Sequence, residues 1–465
     1  MQKWKHQGRF FRCFSVILRY TGALCLAVAV GFALLYIAGL DTPSGALQKR
    51  VDYKIEQSCP LLLEEAEFPT VFSLRDQPGG TLGSTILDNY TESTMLNSAK
   101  YMNTLKDPLS ILSNPRFYSG QEINTLDLYL STQGEEANDY YYRYWQGFRA
   151  FLRPMLWVLN YSGIREVLRF VMLSLLALTA ASVRRHAGLG IAIAFALSMA
   201  MMEFAIISTQ LQYAMCFAVA MGGMLALPRW RCRWAEHWLF FILGAMTQYL
   251  DFYTVPVVTL GLPLIYLMCL THSSKGAMMR KAFGCIAAWA FAYAGMWFVR
   301  LVLAALLVDP LAFSNVFSKI DKWTGVVETE NMAGISRGDA FMAVLGVCFS
   351  KAHIILSAVL AAVYGVYLLH ATRKRRQLGQ RLFTPAWRCL PVVLLPVAWI
   401  AVAYKATAWH ACFQYRSICV VIFAVLCFLA SLVWPLQEDG YVQSSKPVDD
   451  LSLIHISEPT RQAEI

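Results

Sequence analysis

Apolar residues gather into ten runs along this chain: Phe14–Leu40, Val167–Val183, Ala187–Ile207, Leu211–Leu227, Ala235–Leu250, Val255–Leu270, Ala282–Val308, Val344–Leu369, Cys389–Ala406 and Phe413–Trp434. A helix needs about 20 such residues, within roughly 17–25, to cross a bilayer. The pattern predicts an all-α integral membrane protein of about ten transmembrane helices. The first run is long and lacks a clearly placed small-residue cleavage site, so it reads as an uncleaved anchor.

The polar breaks test this count. Lys3, Lys5, Arg9 and Arg12 precede the first run; Arg184 and Arg185 follow the second; Arg229, Arg231 and Arg233 follow the fourth. Lys275, Arg280 and Lys281 follow the sixth, and Arg373, Lys374, Arg375, Arg376 and Arg381 the eighth. The short breaks Ser208–Gln210 and Asp251–Thr254 have no Lys or Arg. Alternate breaks are therefore basic, which puts the N-terminus and the C-terminal tail in the cytoplasm. Residues 235–270 read as two short spans or as one helix kinked near Pro256 and Pro263. One helix would place the basic breaks that follow outside, so two are expected.

This divides the chain into a cytoplasmic start (1–13), a first transmembrane helix (14–40), a large first extracytoplasmic loop (41–165), a bundle of about nine helices (166–434) and a cytoplasmic tail (435–450). Residues 451–465, LSLIHISEPTRQAEI, resemble a translated sequencing-library adapter. They carry no functional weight, and the native chain is expected to continue past Asp450. Within the loop, Ser84–Leu105 and Glu135–Asn160 look helical, with turns at Pro108 and Pro115 between them. Asn89-Tyr90-Thr91 and Asn160-Tyr161-Ser162 match the glycosylation sequon.

Composition narrows the class. The chain is 57% hydrophobic and 15% charged, more apolar surface than one soluble core hides. Its net charge of +10 is accounted for by topology and implies no nucleic-acid partner. Most of the 12 cysteines lie in apolar runs with no CxxC or Cys/His spacing, so they read as small buried residues.

Candidate chemistry follows from ionisable residues in costly places. Tyr140 to Trp157 is dense in aromatics and predicts an interfacial helix on the outer surface. Arg149 and Arg153, four apart, would share a helix face and could grip a phosphate. Arg143 lies on another face, within reach of Asp139 at i,i+4. Asp88 and Glu92, also four apart, could ligate a divalent cation, take a proton from an acceptor hydroxyl, or simply favour a helix N-terminus. Glu203, Asp251, Arg300, Lys405 and Arg416, with His353 and His410 nearby, fall toward the outer ends of their spans. A charge in a bilayer is expensive, which points to a shared outward-facing cavity roofed by Asp88, Arg149 and Arg153.

Four stretches carry a resemblance: DNYTESTMLN, YYYRYWQGFRAFLRPML, TQYLDFYTVPVVTLGLPL and HACFQYRSICVVIFAVLCFL. They resemble a family of uncharacterised bacterial polytopic membrane proteins met beside cell-surface polysaccharide genes. More distantly, the layout is similar to GT-C membrane glycosyltransferases, which have a long first outer loop and an acidic base or metal ligand. That resemblance implies a polyprenyl-phosphate sugar donor, an acidic role for Asp88 or Glu92, and phosphate contacts from Arg149, Arg153, Arg300 and Arg416. Asp88 lies further along the loop than the acidic residues of many such enzymes, and Asp41, nearer the first span, lacks an acidic partner. A transporter or flippase for a lipid-linked or anionic substrate is the competing expectation, and a non-catalytic assembly subunit the third. Membrane lipids are the expected partners of all three.

Overall fold

The computed structural model describes residues 2–64, 88–120, 124–230, 235–271, 275–326, 334–348, 351–378 and 387–433. The tail 435–450, the segment 451–465, Arg231, Arg233, Arg381, the start of the expected helix Ser84–Leu105 and the His353 side chain lie outside what is described.

The chain is nearly all helical. Helix α1 (Gln2–Ala38) leads into a segment of short elements: α2 (Ala46–Glu56), α3 (Cys59–Glu64), α4 (Asn89–Lys100), α5 (Ser110–Ser113), α6 (Asn124–Thr132) and α7 (Arg149–Met155). Strands β1 (Pro115–Arg116) and β2 (Asp139–Tyr140) pair antiparallel within it. The bundle follows with α8 (Tyr161–Ala187), α9 (Leu189–Ala200), α10 (Phe204–Ile207), α11 (Leu211–Ala226), α12 (Ala235–Leu250), α13 (Val257–Leu270) and α14 (Lys275–Leu307). Then come α15 (Ala312–Thr324), α16 (Arg337–Cys348), α17 (Lys351–Gln377), a 3₁₀ turn (Trp387–Val393), α18 (Leu394–Val402), α19 (Tyr404–Trp409), α20 (Ala411–Gln414), a second 3₁₀ turn (Tyr415–Ile418) and α21 (Cys419–Val433).

Among the described residues, four stretches are long and apolar enough to cross a membrane: Ser15–Ala38, Tyr161–Ala187, Gly276–Leu307 and Ala411–Val433. The most apolar windows of the first three are only 22%, 17% and 28% buried against 56% for the last, so the first three lie at the periphery. They turn large apolar side chains outward, among them Leu26, Phe170, Leu178, Phe283, Phe298 and Leu306. That surface is compatible with a bilayer.

The remaining apolar runs differ from unbroken spans. Ala187–Ile207 is interrupted after Ala200, where Glu203 adopts a left-handed backbone with φ 53°. Val344–Leu369 divides between α16 and α17. Cys389–Ala406 begins as a 3₁₀ turn holding Pro391, whose ring removes a backbone donor. Residues 235–270 form two helices folded back on each other. The Thr247 hydroxyl donates to the Thr259 hydroxyl at 2.7 Å, whereas 12 residues of straight helix would separate them by about 18 Å.

The expected surface helix Glu135–Asn160 is not formed. Its first part is β2, Gln146 breaks the backbone with φ 54°, and only Arg149–Met155 is helical. Trp145 and Phe148 are wholly buried, and the Trp145 indole donates to the Met296 carbonyl at 2.9 Å. Tertiary packing won over interfacial aromatic preference: Gly147 lies so close to Tyr249 that a Cβ would overlap its ring, and its amide donates to the Tyr249 carbonyl at 2.7 Å.

α12 and α14 pack backbone to backbone. A Cβ at Gly244 would overlap the Trp289 carbonyl oxygen, and neither helix can yield without losing its own hydrogen bonds. Gly244→Val is expected to destabilise the fold by about 1–3 kcal/mol. Its midpoint of thermal unfolding in detergent should fall, whereas Gly222→Ala, with open space around it, should leave the midpoint near wild type.

Candidate functional site

Two helix N-termini meet at the centre of the site. α4 begins after Asp88, and α11 begins after Gln210. The first turn of each leaves backbone donors without helical acceptors and carries a partial positive charge. Each helix satisfies the other. The Asp88 amide donates to Gln210 Oε1 at 3.0 Å, the Gln212 side-chain amide donates to Asp88 Oδ2 at 2.6 Å, and the Gln212 backbone amide donates to Glu92 Oε1 at 3.2 Å. Asp88 also caps its own helix, accepting from the Thr91 amide at 3.0 Å and the Thr91 hydroxyl at 2.8 Å.

Two cations flank the carboxyls. Arg165 of α8 approaches Glu92 at 3.8 Å and donates to Asn89 Oδ1 at 2.6 Å. The guanidinium of Arg416, fully buried, lies 4.0 Å from the Tyr213 ring centre and 4.8 Å from that of Tyr415. One nitrogen donates to the Cys412 carbonyl at 3.2 Å, while Nε and Nη2 have no hydrogen-bond acceptor among the described residues. Arg416 also couples electrostatically to Glu203 and Asp88. Burial raises the Asp88 carboxyl above its usual range, against hydrogen bonds from Thr91 and Gln212 and the Arg416 charge. Burial pushes Glu92 up to about 8, with Arg165 opposing.

The other basic candidates have different partners. Arg149 donates to the carbonyls of Gln146, Ser110 and Ile111 and to Asn114 Oδ1. Arg153 donates to the Ala99 carbonyl at 2.9 Å and to Gln48 Oε1 at 2.9 Å. Arg300 donates to the carbonyls of Tyr144, Ile111 and Leu112. These guanidiniums staple the segment between α1 and α8 to itself and to α14. Arg149 and Arg153 do share a helix, as their spacing implied, but it is a buried one. Arg143 is not on a helix with Asp139: Asp139 pairs with Arg116 at 2.6 Å across the ladder, and Arg143 lies 4.5 Å over the Tyr141 ring.

Asp251 accepts from the Thr254 hydroxyl at 2.6 Å and the Thr254 amide at 3.0 Å, closing the turn between α12 and α13; burial raises its pKa. Lys405 is fully buried on α19, with its ammonium 6.0 Å from the Tyr404 ring. His410 sits between the rings of Trp323 (5.4 Å) and Phe413 (4.9 Å), and burial lowers its pKa to about 4. Half-buried rings form a wall beside this region: Tyr141 and Tyr144 lie 5.7 and 5.3 Å from Phe252, and Tyr253 lies 5.1 Å from Trp399.

The expected single cavity thus divides into an Asp88–Arg416 centre and a set of carbonyl-bound staples. Among the described residues, no group of three or more His, Cys, Asp or Glu is arranged to hold a metal. Both Asp88 oxygens already accept hydrogen bonds, from the Thr91 amide and hydroxyl and from Gln212, and a guanidinium lies near, so of the oxygen ligands a divalent cation needs only Glu92 stands by. The sequon residue Asn89 is buried against Arg165 rather than presented to solvent. The sequence assigned no role to Gln210, Gln212, Tyr213 or Arg165. The signal was present for the glutamines, since two amides at the start of an apolar run need partners as Glu203 does.

Compared with protein-family models, curated proteins and solved structures, the chain matches none.

The Glu92 shift has a sign. The folded state holds this proton more tightly than the unfolded chain, so the contribution of Glu92 to stability falls as pH rises from 4.5 to about 8. Thermal unfolding across that window should show this slope in the wild type and a flatter one in Glu92→Gln. Identical slopes would exclude Glu92 as the titrating group.

Proposed function

We propose that the chain is a multi-pass protein of a bacterial plasma membrane that transfers a sugar from a lipid-phosphate donor at the outer face, in the manner of GT-C-like glycosyltransferases. In this reading it has about ten spans, N-terminus and tail cytoplasmic, and residues 41–165 outside. The alternation of basic breaks and the fold-back of α12 on α13 support that arrangement. The product would be a cell-surface polysaccharide or glycolipid.

The observation that carries the proposal is the Arg416 guanidinium, fully buried and coupled to a buried carboxyl, with two nitrogens lacking acceptors among the described residues. Buried donors in folded proteins are normally satisfied, so such a pair marks a place for an anion. The Asp88 carboxylate would take the proton of an acceptor hydroxyl as its oxygen attacks the sugar's anomeric carbon. The bond from that carbon to the phosphate oxygen breaks, the electron pair leaves with the polyprenyl phosphate, and Arg416 meets the new charge. The wall of Tyr141, Tyr144, Phe252, Tyr253 and Trp399 offers faces for sugar rings, with Arg143 at its edge. Arg149, Arg153 and Arg300 belong to the scaffold in this scheme.

A second reading has its own support. Helices break at Glu203, which couples electrostatically to Arg416, and again at Ala403 and His410. Interrupted helices around an ionisable group also characterise transporters, so a flippase for the same lipid-phosphate class is the alternative.

Protein in nanodiscs offered a radiolabelled polyprenyl-phosphate hexose and hexose acceptors should form a glycosidic product. Asp88→Asn should slow transfer by about 10²-fold or more while donor binding persists, and Arg416→Gln should weaken donor binding. Movement of donor between leaflets without product would favour the flippase. Topology is tested separately with alkaline phosphatase fusions. Fusions after Leu105, Thr254 and Thr324 should be active and those after Arg185, Arg229 and Arg376 silent; an active fusion after Lys281 would overturn the ten-span order.

A further inference from the structure

A groove of 610 Å³ opens between α8 and α9, remote in sequence from Asp88 and Arg416. Its walls include Ala180, Ala181, Ala192 and Ala196, and its lining also includes Arg184 and Arg185. The groove is largely open along its length, as a surface that takes a lipid chain must be. Small residues on facing helices ordinarily let the backbones close together. Here the alanines leave an open, apolar groove instead, and Arg184 and Arg185 belong to its lining.

Both arginines are exposed, and among the described residues neither guanidinium has an ion-pair or hydrogen-bond partner. The C-terminal end of α8 favours positive charge, which accounts for basic residues there. Cytoplasmic placement accounts for basic residues there as well; what the groove adds is that both arginines line the same apolar surface. Those charges repel until an anion lies between them, and guanidinium matches the paired oxygens of a phosphodiester. Basic pockets between membrane helices recognise anionic headgroups in this way.

We propose that this groove binds an anionic glycerophospholipid, with one acyl chain along the alanines and the phosphodiester held by Arg184 and Arg185. The site would lie in the cytoplasmic leaflet in the ten-span arrangement, at the end of α8 away from the proposed transfer centre. It would fix α8 against α9, and α8 also carries Arg165, the partner of Glu92. Only the leaflet rests on the topology above; the contacts do not.

The test uses full-length protein in vesicles of phosphatidylcholine with phosphatidylglycerol as the minor lipid. The vesicles present both lipids on both faces, so orientation and transfer activity do not affect the outcome. After extraction, native mass spectrometry counts each lipid retained per chain. The wild type should retain phosphatidylglycerol over its share in the vesicle by about tenfold or more. Arg184→Gln/Arg185→Gln should lose that enrichment, and Arg184→Lys/Arg185→Lys should keep part of it. Ala196→Phe, which fills the groove from an exposed position, should lose it with both arginines intact. Thermal unfolding confirms that each variant is folded. Equal retention of the two lipids by the wild type would mean binding of an adventitious additive only and overturn the proposal. So would undiminished enrichment in the glutamine pair or in Ala196→Phe.

Discussion

The meeting of two helix N-termini governs this structure. α4 and α11 direct their unsatisfied amides and positive dipole ends toward one another, an arrangement that repels unless negative charge or acceptors lie between. Asp88, Glu92, Gln210 and Gln212 supply them, with bonds running both ways across the junction. The neutralisation is itself buried, which raises both carboxyl pKa values and draws in Arg165 and Arg416 as counter-charges. A docking device and a reactive centre are thus made from the same atoms. The proposed chemistry at Asp88 uses a carboxyl that the fold already requires to be buried.

The arginines divide by what surrounds them. Arg149, Arg153 and Arg300 each meet backbone carbonyls in the last turns of the short helices α4 and α5, which have no acceptor role left within the helix. A guanidinium with several donors in one plane suits that task, binding separated carbonyls together. Arg416 has a carbonyl for one nitrogen and aromatic faces around it, and its other donors are open. The proposal for an anion rests on that difference, not on the number of basic residues.

The breaks in the helices belong to the same picture. Glu203, in a left-handed conformation, couples to Arg416; Tyr253 is left-handed too, and short helices meet at His410. A left-handed non-glycine residue is costly and persists only where packing holds it. Tyr253 is held by Trp399 at 5.1 Å and by the side-chain amide of Gln414, which donates to its carbonyl at 3.5 Å.

The sequence by itself determined the helical, strongly apolar character and the places where α1, α8, α14 and α21 run, because covering long stretches of apolar surface demands long apolar runs. It also pointed to Glu203, Asp251, Arg300, Lys405 and Arg416 as residues whose burial needs a reason, since an ionisable group among apolar neighbours is expensive, and to Asp88 and Glu92 by their spacing alone. Only the tertiary structure decided who partners whom. Nothing local distinguishes Arg149, whose fork closes on backbone carbonyls, from Arg416, whose fork stays partly open. Nor could periodicity foresee that Tyr140 to Trp157 would fold inward as strand, turn and short helix, because close contact between Gly147 and Tyr249 joins residues about a hundred positions apart. Propensity and spacing act within a few turns of chain, whereas the partner of a buried charge is whatever the fold brings to it.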